Sequence, residues 1–401
     1  MLSWDKTPAL ESMRRCRAWV EIDLTALQHN VQQLNRFIGD KTALMAVVKA
    51  DAYGHGAVTI AQTALAAGAT WLGVATVPEG LELRQAGIKA PILVMGAVND
   101  PEEIRAIAQW QLQPTLVSAK QALVFSEGLV QAQASPQPVH LKIDTGMSRL
   151  GYPWQQAQEF VQFVQRLPHL HIASVYSHLA TAEDPDPTIL HQQHQCFKAA
   201  IAQISPLFST LPPLHLTNSA GTLGFPDLHY DRVRVGLALY GFYPAPHLES
   251  VLPLRPVMQV KARITHLKNI QAGTGVSYGH QFIAPKPMRI AVVGVGYADG
   301  VPRALSNQMR VLVKGQPVRQ IGNITMDQLM IDVTDVPALQ EGTIVTLLGQ
   351  AGNSTITADH WATLTGTIAW EILCSFKHRL PRIIINHPAS RCFQVEPADK
   401  R

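Results

Sequence analysis

Between Leu44 and about Val235 the chain repeats one pattern: a short apolar run, a turn, then a stretch with helical spacing. The runs are Leu44–Lys49, Trp71–Thr76, Pro91–Met95, Gln113–Val117, Val139–Ile143, His171–Ser177, Leu214–Thr217 and Arg232–Val235. Runs this short and this apolar predict strands buried on both faces, the usual condition of a parallel sheet. Helical patterns fill the gaps, as at Pro101–Gln109 behind the Asn99-Asp100 start signal, Ser118–Gly128, Trp154–Arg166 and Thr188–Ile204. Eight strand–helix repeats in about 190 residues predict an α/β fold, a (β/α)8 TIM-type barrel rather than an open doubly wound sheet. No G-x-G-x-x-G follows the first run, which argues against a dinucleotide-binding fold.

The pattern differs on either side. Arg17–Asp23 alternates apolar and polar residues, which predicts a strand, and Asp23 or Thr25 caps a helix carrying Leu24, Leu27, Val31, Leu34 and Phe37. From Pro253 to about Gly349 strand-like segments follow one another across turns: Gln259–His266, Met288–Val295, Met309–Lys314, Leu329–Val333 and Thr343–Leu348. Lys314-Gly315-Gln316-Pro317 is a hairpin signal. Helical stretches over about 357–365 and 368–377 precede a last strand at Arg382–Asn386. The expected layout is an arm (1–16), the barrel (17–252, its first strand free to pack with the β-rich part), a mostly β C-terminal domain (253–387) and a polar tail (388–401).

Composition narrows the function. Charged residues make up 15% and the net charge is +4, with no basic stripe carrying interleaved aromatics, so nucleic acid is not an expected partner. Cys16, Cys196, Cys374 and Cys392 are far apart and predict reduced structural thiols. No leader pattern and no apolar run of about 18 residues is present, so a cytoplasmic protein without membrane contact is expected.

Barrel enzymes work at the C-terminal ends of their strands. Those positions hold Lys49, then Lys142 leading to Asp144 and Arg149, then His178, Asn218-Ser219, and Arg234-Val235-Gly236-Leu237. The last two loops of such barrels commonly cradle a phosphate, and Ser219, Gly236 and Leu237 suit that purpose, although Asn218–Gly221 also fits an ordinary helix cap. A lysine amine opposite a phosphate cradle points to pyridoxal 5'-phosphate, an outline that sugar-phosphate aldolases share. Arg234 separates the two. Against a pyridine nitrogen, an arginine donates without yielding its proton, leaving the ring a weaker electron sink and favouring prompt return of a proton to Cα.

The motifs resemble those of the alanine racemase family over about residues 17–385. They are Ala46-Val47-Val48-Lys49-Ala50-Asp51-Ala52-Tyr53-Gly54-His55-Gly56, Lys142 to Gly151, Ser177 to Ala182, Asn218-Ser219-Ala220, Arg234 to Gly241, Gly275 to Gly279, Gly296 to Gly300 and Met326-Asp327-Gln328. The resemblance implies a pyridoxal-phosphate enzyme that interconverts L- and D-alanine by two bases and supplies D-alanine for peptidoglycan. It implies Lys49 as Schiff-base lysine and one base. Tyr278, supplied by the partner of a homodimer with shared sites, is implied as the other. Tyr53, Ser219, Gly236 and Leu237 match phosphate contacts, and Arg234 the pyridine-nitrogen contact. Arg149 and the Met326 backbone match substrate-carboxylate contacts, and Lys142 a lysine often carried as a carbamate. His178 is a candidate, with Arg234, for a hydrogen-bond relay to Tyr278.

Three positions depart from the family pattern. Trp370 stands where a phosphate-reaching tyrosine is usual, Thr325 where a cysteine is common, and Val301 where an aromatic is frequent. An indole offers one N–H and no hydroxyl, so a direct phosphate contact at Trp370 is not expected. His191 and His194 have helical metal-ligand spacing but no carboxylate pattern beside them, and no metal is expected. The alternatives are an amino-acid decarboxylase of the same architecture, which would place a carboxylate where Arg234 stands, or a broad-specificity racemase. A non-catalytic pyridoxal-phosphate carrier would have the barrel alone.

Overall fold

The computed structural model describes residues 17–386. The expected arm and tail, with Cys16 and Cys392, lie outside them. The described chain forms two compact units, one of residues 26–52 and 56–255, the other of 17–25, 53–55 and 256–386.

The first unit is a closed parallel barrel. Its strands are β2 (Ala43–Val47), β3 (Trp71–Val74), β4 (Ile92–Ala97), β5 (Gln113–Leu116), β6 (Gln137–Asp144), β7 (Leu170–Tyr176), β8 (Leu214–His215) and β9 (Arg232–Val235), where β1 is Ala18–Asp23 of the other unit. They pair in the order β5-β4-β3-β2-β9-β8-β7-β6, and β6 returns to β5, so all eight expected strands close the ring. Leu44, Met45, Ala46, Val47 and Val48 are buried, as an uninterrupted apolar run in a helix-covered strand must be. Helices follow the strands with conventional starts. The Asp100 carboxylate accepts from the Glu102 and Glu103 amides at 2.8 and 3.1 Å, and Ser118 Oγ from the Gln121 amide at 3.1 Å.

The second unit is mostly β. Its strands are β1, β10 (Met258–Ile270), β11 (Met288–Val293), β12 (Arg310–Val313), β13 (Gln316–Ile321), β14 (Leu329–Asp332), β15 (Ile344–Ala351), β16 (Ser354–Ile356) and β17 (Arg382–Ile385). β1 runs antiparallel to β10 and parallel to β17. β10 also pairs with β15, which closes β10, β11, β14, β13, β12 and β15 into a six-stranded ring. The hairpin signal is met: Val313 faces Gln316 across Lys314 (φ +50°) and Gly315 (φ +80°), the double left-handed turn that suits strand twist.

Two expectations need correction. β8 covers only Leu214–His215 instead of Leu214–Thr217, because Asn218 already caps the next helix. The first barrel strand stops at Val47, so Lys49 is not a strand residue. Among the described residues, no helix is long and apolar enough to cross a membrane.

Candidate active site

Lys49 opens a short left-handed helical turn. Ala50, Asp51, Ala52 and Tyr53 have φ of +53°, +53°, +52° and +55°, and Gly54 follows at +80°. Only glycine visits this region without penalty, and each other residue costs about 1–2 kcal/mol there, so the turn stores roughly 4–8 kcal/mol. The backbone is held by bonds from within the turn and from distant residues. The Ala52 amide donates to Val48 O at 2.9 Å and the Ala50 amide to Glu79 Oε1 at 2.7 Å. Glu79 Oε2 takes the Ala75 and Thr76 amides, and Asp51 Oδ1 takes that of Ala57 at 2.8 Å. The buried Tyr240 hydroxyl donates to Val47 O at 2.9 Å and pins the strand end before Lys49.

Arg234 is buried within the barrel. Its Nη1 donates to His215 Nδ1 at 2.9 Å, and its Nη2 to Ser177 O at 2.7 Å, Leu216 O at 2.9 Å and His178 Nδ1 at 3.1 Å. Among the described residues, no carboxylate pairs with it. Its Nε–H and the second Nη1–H have no hydrogen-bond partner among the described residues, which leaves donors for an acceptor from outside the chain. Burial lowers the guanidinium to about 10, still charged at neutral pH. Burial and then Arg234 push both His178 and His215 well below the ordinary histidine range, so both are neutral. A guanidinium has no acceptor, so each histidine presents a bare Nδ1 to it.

Lys142, on β6, is buried and faces the same region; its Nζ lies 5.7 Å from the centre of the Tyr176 ring. Burial first, then Arg234 and Arg149, lower its amine to about 8; Lys49 acts in the same direction and Asp144 opposes it. Asp144 Oδ1 is itself occupied by the Gly146 and Ser148 amides, both at 3.0 Å. Arg149 is exposed and makes no hydrogen bond or ion pair among the described residues. Lys49, Lys142, Arg149 and Arg234 thus form a cationic cluster with little carboxylate to balance it. That is the charge an anionic ligand requires.

Beside it the loops after β8 and β9 are tied together. Asn218 caps the short helix Ser219–Gly224 through the Gly221 amide at 2.9 Å, so the ordinary cap role is real. The buried Ser219 hydroxyl accepts from the Gly236 amide at 3.0 Å and the Ala238 amide at 3.4 Å. Ser219, Gly236 and Leu237 are therefore brought to one place, as expected. His194, by contrast, spends Nε2 on the Tyr230 hydroxyl at 2.8 Å.

The second unit holds the other expected residues. Tyr278 is 75% exposed. Its loop is tied to Asn323: Ser277, Gly279 and His280 have φ of +64°, +68° and +42°, Asn323 Nδ2 donates to Tyr278 O at 2.6 Å, and Ser277 Oγ to Asn323 O at 2.7 Å. Met326 is exposed, and its carbonyl accepts from the Ala298 amide at 3.0 Å. Tyr53 is buried, which raises its phenol well above the ordinary value. Arg382 donates to Gly54 O at 2.8 and 3.0 Å. Asp299, from the Gly296–Gly300 motif, is buried under a bidentate pair with Arg17 at 2.7 and 2.8 Å. Asp299 thus ties the motif to the strand start at Arg17. Trp370 lies half-buried on the helix Ala369–Ser375.

A family model for the alanine racemase N-terminal domain matches residues 22–244, and one for the alanine racemase C-terminal domain matches residues 257–384. This chain belongs to the alanine racemase family. An alanine racemase of Nostoc sp. (strain PCC 7120 / SAG 25.82 / UTEX 2576) is 69% identical over 368 residues, 92% of this chain and 95% of that one. One of Synechocystis sp. (strain ATCC 27184 / PCC 6803 / Kazusa) is 61% identical, covering 93% of this chain and all of its own length (100%). Among solved structures, alanine racemase from Streptomyces coelicolor A3(2) superposes with a TM-score of 0.88 at 35% identity, over 94% of this chain and 100% of that one. The Bacillus anthracis alanine racemase with bound L-Ala-P does so with 0.86 at 35%, over 92% and 95%.

The motifs do not include Gln113, Thr115, His140, Ser174, Tyr176 or His215, which lie in the barrel on the network around Arg234. The Tyr176 ring stacks on His215 at 4.6 Å, and its hydroxyl pairs with Thr115 Oγ1 at 2.8 Å. A signal was present. His140 and Lys142, like Ser174 and Tyr176, sit two apart on their strands and so share the face that carries Lys142.

Proposed function

We propose that this chain interconverts L- and D-alanine with pyridoxal 5'-phosphate. The observation that carries the reading is Arg234: buried, charged, free of carboxylates, and with Nε–H left over at the centre of a cationic cluster. The cofactor fits this chemistry. Its ring nitrogen is an acceptor for Arg234 Nε–H, its phosphate suits the loops tied by Ser219, Gly236 and Leu237 together with Tyr53, and its aldehyde suits the Lys49 amine. When bound, the cofactor supplies an electron sink that makes the Cα–H of an attached amino acid acidic.

Arg149 holds the substrate carboxylate, with the Met326 backbone as a second contact. Lys142, carried as a carbamate, gives Arg149 an anionic partner and orients it. Lys49 Nζ and Tyr278 Oη then act on opposite faces of Cα: one accepts the proton and the other returns one, which inverts the centre. Arg234 would donate to the ring nitrogen without giving up its proton and so would keep the sink weak, favouring prompt return of the proton. His178 accepts from Arg234 through Nδ1 and has its Nε2–H available to a phenolate. The exposure of Tyr278 (75%), with Ile283 (61%) and Met326 (53%) also solvent-facing, supports a homodimer in which Tyr278 serves the site of a second copy. In the cell the reaction supplies D-alanine for peptidoglycan, in the cytoplasm.

The test is deuterium wash-in at Cα from each alanine enantiomer. Lys49→Ala is expected to abolish exchange from both, and Tyr278→Phe to act mainly on proton removal from L-alanine. Full activity of Tyr278→Phe in both directions refutes the two-base assignment.

A further inference from the structure

Arg234 is one end of a longer chain of bonds that runs through the barrel and uses residues no motif contains. His215 Nε2 lies 2.8 Å from Ser174 Oγ, Ser174 Oγ lies 2.6 Å from His140 Nδ1, and His140 Nε2 lies 2.7 Å from Gln113 Oε1. His140, Ser174 and His215 are fully buried. Strand register sets part of the order: His140 faces Ser174 across β6 and β7, and His215 faces Arg232 across β8 and β9.

The direction of every link follows from its ends. A guanidinium only donates, so His215 Nδ1 accepts, and a neutral His215 carries its proton on Nε2. That proton goes to Ser174 Oγ. Ser174 then gives its own hydrogen to His140 Nδ1, which leaves the His140 proton on Nε2, directed at Gln113. An amide oxygen only accepts, so the chain closes without conflict. Burial pushes His140 down to about 3, in keeping with a neutral ring.

We propose that Gln113, His140 and Ser174 are positioning residues that hold His215 as the Nε2–H tautomer, so that its Nδ1 stays a bare acceptor for Arg234. Reversing the chain would set a histidine N–H against the guanidinium. Only the consequence for the cofactor rests on the function proposed above; the tautomer pattern does not.

The test uses the full-length protein with 15N-labelled histidine. NMR is expected to show His140 and His215 neutral, each protonated on Nε2 alone, across the neutral pH range. A proton on Nδ1 of either, or a doubly protonated ring, overturns the proposal. Gln113→Met then removes the terminal acceptor at similar size, and Gln113→Glu keeps one. Pyridoxal phosphate is expected to bind Gln113→Met about tenfold more weakly, the scale of one buried donor left unpaired, and Gln113→Glu close to the parent. If Gln113→Met fails to fold, Ser174→Ala cuts the same chain and is expected to weaken binding likewise. Parent-like binding by a folded variant with the chain cut overturns the proposal. If the parent itself does not bind pyridoxal phosphate, the functional reading falls, while the NMR result still decides the tautomers.

Discussion

Lys142 gives the sharpest test of the cationic cluster. Its amine is lowered to about 8 from an ordinary 10.5, because the side chain is buried and Arg234 and Arg149 are near. At pH 7 such an amine is about one-tenth free base, where an ordinary lysine is about one part in three thousand. The nucleophilic form that adds carbon dioxide is thus enriched by about 300-fold. Addition also converts a cation into an anion beside Arg149 and Arg234, so the same charges that disfavour the ammonium favour the carbamate. With 13C-labelled bicarbonate at pH 7 to 8, a single protein-bound carbamate resonance is expected, and Lys142→Gln is expected to abolish it. Removal of dissolved carbon dioxide should lower activity by raising KM for alanine, since Arg149 loses its partner, and bicarbonate should restore it. A parent protein with no carbamate signal, and activity indifferent to carbon dioxide, refutes the argument.

Other outcomes follow from the same geometry. His140, His178 and His215 are all held below the ordinary histidine range in the fold, so the unfolded chain binds more protons as pH drops past about 6.5. Their contribution is present above that pH and lost below it, about 1.4 kcal/mol per histidine at pH 5.5. The urea midpoint should fall from pH 7.5 to 5.5, and a flat profile contradicts the buried neutral assignment. Ala50→Gly at φ +53° on an exposed position should stabilise the protein by about 0.5–1 kcal/mol, the left-handed penalty less the added chain entropy, measured as a raised urea midpoint. Gly296→Ala should destabilise by about 3 kcal/mol or more, since its Cβ would stand 2.2 Å from Thr325 O and 2.5 Å from Met326 O; parent-like stability would show that this loop yields.

The barrel was legible because its strands are apolar on both faces and its helices announce their starts, as Asp100 and Ser118 do. The C-terminal hairpin was legible from Lys314-Gly315. The turn after Val48 was not: Ala50, Asp51, Ala52 and Tyr53 carry no glycine, and local preference alone does not place four such residues in left-handed space. Tertiary bonds from Glu79 and Tyr240, distant in sequence, overcome that preference. The chain behind Arg234 was half legible. Alternation puts His140 with Lys142 and Ser174 with Tyr176, but which residue meets which depends on strand register, including the irregularity between Val139 and His140. The motifs carry the residues proposed to face ligands, and the residues that hold Arg234 from behind lie outside them.

The arrangement around Arg234 answers a specific electrostatic problem. A buried guanidinium is costly and is normally paired with a carboxylate. Here a carboxylate would neutralise the charge that the proposed anionic ligands need. The chain instead surrounds Arg234 with carbonyl oxygens and two bare imidazole nitrogens, which accept its hydrogens without cancelling its charge. Neutral histidines serve this only while they stay neutral, and burial in the field of Arg234 keeps them so. The arginine enforces the acceptor state of the two rings that hold it. On the function proposed above, the net positive charge of the cluster is left for a phosphate, a carbamate and a substrate carboxylate to share.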